Sequence, residues 1–139
     1  MNLKKNKETS ILFLYKKGRK KRLSEYKKFP SEFFYGYKEL EKEGYNLSLL
    51  EEIDVSFQIK NILFLKILNI ASKILFNFPV QMILGFLLNK AYKKLNTADI
   101  IVSTTNSIGI TLSFLKAIGL VKSRIIYIYM GLFSNKPRF

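Results

Sequence analysis

Two polar stretches hold the side chains that could do chemistry. One is the turn Thr104-Thr105-Asn106-Ser107, set between an apolar β-branched run, Ile100 to Val102, and a helical segment ended by Gly119. In open parallel sheets such turns lie at the carboxyl ends of the strands, and the helix N-terminus behind them offers free N–H groups to anions. The other is Lys16-Lys17-Gly18, which opens a basic tract running to Lys28 after the apolar run Ile11 to Tyr15. It stands where nucleotide-binding folds carry a phosphate turn, yet it matches neither G-x-G-x-x-G nor a P-loop. Both stretches also have ordinary alternatives. Ser, Thr and Asn are common helix caps, and a Lys/Arg-rich tract is often a solvated loop.

Composition narrows the chemistry. The chain has no histidine and no cysteine, which excludes disulfides, thiolate catalysis, imidazole acid/base work and His-based metal sites. Catalysis would have to use carboxylates, Lys, Tyr or hydroxyls. Glu51, Glu52 and Asp54 cluster but lack the alternating spacing of a calcium loop, so a solvated turn is expected there, and no metal or cofactor. The net charge of +14 is unevenly placed. Residues 1–28 carry 11 basic and 2 acidic groups, residues 31–54 carry 2 and 7, and residues 60–139 carry 11 against Asp99 alone. Lys, Asn, Ile, Phe and Tyr all have A/T-rich codons, so the positions of the charges say more than their sum. Clustered cations at both ends point to an anionic partner, phosphate or lipid headgroup.

A chain of 139 residues buries about 68% of its unfolded surface, enough for one core. We expect a single domain over residues 1–139, with 1–10 and 132–139 as flexible tails. Ile11 to Tyr15 is the first strand. Ser31 is expected to cap a helix that carries Glu32 at the positive end of its dipole and stops at Gly44. Phe33, Tyr37 and Leu40 then form its docking stripe, with Gly36 inside the helix at a cost of about 1 kcal/mol. Tyr45 to Leu50 reads as the second strand, Ile100 to Val102 as the third and Arg124 to Met130 as the fourth. The order of strands and helices predicts an α/β fold, a Rossmann-like doubly wound sheet of about four parallel strands with covering helices.

Between strands two and three lie two further helices. In Asn61 to Asn77 the polar residues Lys66, Asn69, Lys73 and Asn77 form a narrow stripe on an otherwise apolar helix. Val80 to Leu95, after Pro79, reads as one amphipathic helix with Lys90, Lys93 and Lys94 at its C-terminal end. The longest charge-free run, Ile74 to Asn89, is 16 residues, short of the ~18 that a membrane span needs. The pair would therefore cover the sheet, or lie in the plane of a membrane with Lys66, Lys73, Lys90, Lys93 and Lys94 at the headgroups. The polar N-terminus is no signal peptide, and together with the lack of cysteine it suggests a cytoplasmic protein, peripheral on the inner membrane face if the helices do bind lipid.

The segments Phe29-Pro-Ser-Glu-Phe-Phe-Tyr-Gly36, Leu40, Gly44-Tyr45, Ala98-Asp-Ile-Ile-Val, Ile125-Ile-Tyr-Ile and Met130-Gly131 resemble the N-terminal domain of bacterial GT-B glycosyltransferases of the family-4-like group. That resemblance implies half of a GT-B fold, the half that binds the acceptor. A C-terminal domain or subunit would bind the nucleotide-sugar donor, and a lipid-linked or polysaccharide acceptor would be met at the cytoplasmic membrane face. Carried over by position, Lys16, Lys17, Gly18, Glu32 and Thr104 to Ser107 would face the inter-domain cleft. Some relatives use a His as catalytic base; this chain has none, so its catalytic residues stay unknown. Without a donor domain it is not expected to turn over a nucleotide-sugar. The alternative is a non-enzymatic basic protein on an anionic membrane surface, with nucleic acid ranked lower because no RNA-binding aromatic signature is present.

Overall fold

The computed structural model describes residues 8–30, 34–55, 63–76, 80–88 and 91–128. Four apolar runs become strands: β1 Ser10–Tyr15, β2 Asn46–Glu51, β3 Ile100–Ser103 and β4 Arg124–Tyr127. They pair in parallel in the order β2-β1-β3-β4. The chain moves outward from β1 to β2, then crosses back over β1 to reach β3. The winding therefore reverses between β1 and β3, and this makes the sheet doubly wound.

Period-two alternation assigns the strand side chains to two cores. Leu12, Leu14, Leu50 and Ile101 join Val55, Met82, Phe86, Leu95, Ile108, Leu112 and Leu115. These come from α3 Glu52–Val55, α5 Val80–Leu88, α6 Ala91–Thr97 and α7 Asn106–Ala117. Ile11, Phe13, Tyr15 and Val102 point the other way and meet Phe34 and Tyr37, with Leu23, Phe29 and Leu40 around them. This second cover comes from α1 Arg19–Ser24, a 3-10 turn at Tyr26–Lys28, and α2 Tyr37–Lys42. Helices thus lie on both faces, as an α/β doubly wound, Rossmann-like sheet requires. Each fully buried Leu or Phe contributes about 1.5–3 kcal/mol.

Three expected boundaries change. Gly36 does not sit inside a helix: with φ 82 it is the residue before α2, in a left-handed conformation that glycine adopts without strain. Tyr37 and Leu40 of the proposed stripe do pack against the sheet, whereas Phe33 and the Ser31 cap lie outside the described residues. The helix expected over Val80 to Leu95 is two helices, α5 and α6, the second running on to Thr97. The basic tract after β1 is not a plain loop but α1 followed by the 3-10 turn. The other long helix, α4 Leu63–Phe76, packs on α5.

Candidate functional site

Parallel pairing puts the turns after β1 and β3 side by side. Leu14 is opposite Ser103, and the next residue, Thr104, donates its N–H to the Leu14 carbonyl at 3.4 Å. Its hydroxyl donates to the same oxygen at 3.5 Å. Lys16, Lys17 and Gly18 therefore stand beside Thr104 to Ser107, at the carboxyl edge of the sheet and at the point where its winding reverses. In open α/β sheets this crevice is where ligands bind.

The wall from β3 is the start of α7. Thr105 is its N-cap, with extended backbone, and the first helical bond runs from the Gly109 N–H to the Thr105 carbonyl at 2.9 Å. The N–H groups of Asn106, Ser107 and Ile108 have no acceptor among the described residues. A threonine at this position ordinarily caps one of them, but the Thr105 side chain makes no such bond. Its Oγ1 is buried without a partner. The Ser103 hydroxyl donates to the Thr105 carbonyl at 3.3 Å. Asn106 is turned aside, its Oδ1 accepting the Tyr127 hydroxyl at 2.7 Å. The expectation that these residues serve only as caps thus fails for Thr105.

The wall from β1 is cationic but partly occupied. Lys16, Lys17 and Gly18 are exposed, and Gly18, at φ 89, turns the chain into α1. At the start of α1 the Lys20 N–H donates to the Glu51 carboxylate at 2.6 Å. Glu51 in turn donates its N–H to the Asp54 carboxylate at 2.9 Å. The acidic cluster after β2 is thus a pair of internal caps, with Glu51 placing a negative charge where an outside anion would otherwise meet α1. Farther along, the Arg22 guanidinium lies 5.7 Å from the Phe29 ring centre. Together with Gly18, Lys21 and Glu25 these residues line an open depression of about 350 Å³.

Behind the β1 turn, the core on the α2 face is pinned by a buried tyrosine. The Tyr15 hydroxyl donates to the Phe34 carbonyl at 2.5 Å. Burial, with smaller contributions from Tyr37 and other neighbours, pushes its phenol far above the ordinary value, so it acts only as a fixed donor. Tyr35 has φ 49, the one non-glycine residue with positive φ among the described residues. Strain of this kind costs about 1–3 kcal/mol.

A larger open depression, about 540 Å³, lies at the opposite edge, between the amino ends of β1, β3 and β4, and includes Thr9, Asn96, Asp99, Lys122 and Arg124. Asp99 there works as a latch. Its Oδ2 accepts the Ser10 N–H at 2.8 Å and the Ser10 hydroxyl at 2.9 Å. These bonds hold its carboxyl below the usual range, slight desolvation opposing them and Arg124 adding to them. The volume is greater, but the helices that lead into β3 and β4, α6 and α7, end at this edge rather than start there.

Of the other residues singled out from the sequence, Glu32 and Lys90 lie outside the described residues. Lys66 and Lys73 are exposed on α4, and Lys93 and Lys94 on α6, away from the crevice residues in the chain and on separate elements. Sequence reasoning missed Glu51 as a cap, Tyr127 as the partner of Asn106 and Tyr15 as a buried donor. Each acts across 19 to 31 residues, and no local pattern announces such contacts. Among the described residues no group of three or more Asp, Glu, His or Cys could hold a metal ion, and no helix is long and apolar enough to cross a membrane. No protein-family model, curated protein or solved structure matches the chain.

Proposed function

We propose that this chain is the acceptor-side domain of a GT-B-type glycosyltransferase, serving a lipid-linked or polysaccharide acceptor while a second Rossmann-like domain or subunit brings the nucleotide-sugar. The observation that supports this reading best is the pairing of the Lys16–Gly18 and Thr104–Ser107 turns at the reversal of the sheet. Open N–H groups lie on one side of that crevice, and cations on the other. In this role the Thr104 and Ser107 hydroxyls and the open N–H groups hydrogen-bond acceptor hydroxyl or phosphate oxygens, and Lys16 and Lys17 neutralise acceptor charge. These groups suit a half-site that orients one reactant.

Saturation-transfer NMR of the full chain with diphosphate-linked glycolipid and with free oligosaccharide tests the assignment. Binding weakened at least tenfold by Ser107→Ala and by Lys16→Gln with Lys17→Gln supports it; no binding, or binding indifferent to both, counts against it. Sugar-transfer assays with and without the product of an adjacent open reading frame test the two-part architecture. A second reading, a non-enzymatic protein of the membrane surface, draws support from the outward apolar face of α4.

A further inference from the structure

Helix α4 is inside out. Leu63, Phe64, Ile67, Leu68, Ile70, Ile74 and Leu75 are all exposed, Leu63, Ile74 and Leu75 by more than 70%. Ser72, by contrast, is buried. Its hydroxyl donates to the Asn69 carbonyl at 3.1 Å and accepts the Val80 N–H of α5 at 3.2 Å. At 100° per residue the exposed apolar side chains sweep an arc of about 160°, bordered along one edge by Lys66 and Lys73, while Asn69 and Ser72 turn toward the protein. Leu87 and Leu88 at the end of α5 are also exposed. Contiguous apolar surface of this kind on an outward-facing helix marks an interaction site.

Charge selects the occupant. Between residues 55 and 98 the chain has six lysines and no carboxylate. A second copy docked symmetrically through α4 would set Lys66 and Lys73 against their own images, with no acid in the segment to offset them. An anionic bilayer surface meets both needs, since apolar side chains enter the acyl boundary to about 5–10 Å while lysines at the edge stay with the headgroups. Over its described residues the helix falls short of a span: its 14 residues cover about 21 Å against a hydrocarbon core of about 30 Å. We propose that α4 lies in the plane of an anionic membrane, its Leu63-Ile67-Ile74 ridge inserted and Lys66 and Lys73 on the headgroups. This surface is separate from the switch-point crevice and stands whether or not the chain takes part in sugar transfer.

The chain has no tryptophan, so Phe64→Trp supplies a single fluorophore on the ridge. Ile126→Trp, on β4 and the other sheet face, is the control. Each variant is the whole 139-residue chain, mixed with vesicles of phosphatidylcholine plus phosphatidylglycerol. Indole emission from Phe64→Trp shifts blue and is quenched by brominated acyl chains, while emission from Ile126→Trp is unmoved. In flotation assays Lys66→Gln with Lys73→Gln weakens binding about 25-fold, each lysine near an anionic surface contributing about fivefold. Ile67→Asp with Ile74→Asp abolishes it. Both pairs are solvent-facing, and circular dichroism checks that they fold. Equal binding to pure phosphatidylcholine overturns the electrostatic part. A blue shift of Phe64→Trp without vesicles, accompanied by a dimer in light scattering, overturns the membrane in favour of a second copy. Absence of any shift with either vesicle overturns the proposal outright.

Discussion

Helices α4 and α7 are similar in length and opposite in use. In α7, Ile108, Gly109, Thr111, Leu112 and Leu115 are buried against the sheet, and even Thr111 is satisfied, its hydroxyl donating to the Ser107 carbonyl at 2.7 Å. In α4 the larger apolar set faces outward and a serine faces inward. The greasier helix is therefore the peripheral one. Apolar content tells how much surface a helix must hide; it does not tell from what, and the direction of the face decides whether the cover is the chain itself or something else.

Side-chain truncation tests the difference between the two helices. Leu112→Ala, at a fully buried position, is expected to lower unfolding free energy by about 3 kcal/mol in urea titration, through lost burial and a residual cavity. Gly109→Ala should cost about 2 kcal/mol. A Cβ there would run into the Tyr127 ring, and the displaced ring would release Asn106 at the crevice, visible as a shifted Asn106 side-chain amide resonance. Asp99→Asn probes the latch at the opposite edge. Because its folded carboxyl titrates below the ordinary 3.8, its stabilisation is complete above that value and is lost as pH falls through the depressed one. The Tm gap between wild type and variant should be open at pH 6 and narrow as the pH falls below 3.8. Ile74→Ala should have the smallest effect, within about 0.5 kcal/mol, because the side chain is already in water. A loss near that of Leu112→Ala would mean that α4 is covered by protein.

Much of the fold was legible because its signals are local. Ile11 to Tyr15 and Ile100 to Val102 are apolar runs bounded by polar turns, and their parallel order alone brings Lys16–Gly18 beside Thr104–Ser107. The break between α5 and α6 was not legible, since Ile83, Leu84, Leu87, Leu88, Ala91 and Leu95 keep helical spacing across it. Gly36 misled for a related reason: Phe33, Tyr37 and Leu40 have helical spacing on either side of it, and the stripe is blind to a positive φ. The crevice positions could be placed from strand order, but the Glu51 cap and the Tyr127 tie join residues distant in the chain.

The Ser72 hydroxyl that receives the Val80 N–H has a kinetic consequence. The first N–H of a helix ordinarily exchanges with solvent almost freely, since no earlier turn supplies its acceptor. At Val80 the acceptor belongs to α4, so protection of this one amide measures how often α4 lifts from α5, independently of global opening. Hydrogen exchange at Val80 thus offers a clock for α4 detachment. If a bilayer clamps the helix, that clock should slow while the amides of β1 keep their pace.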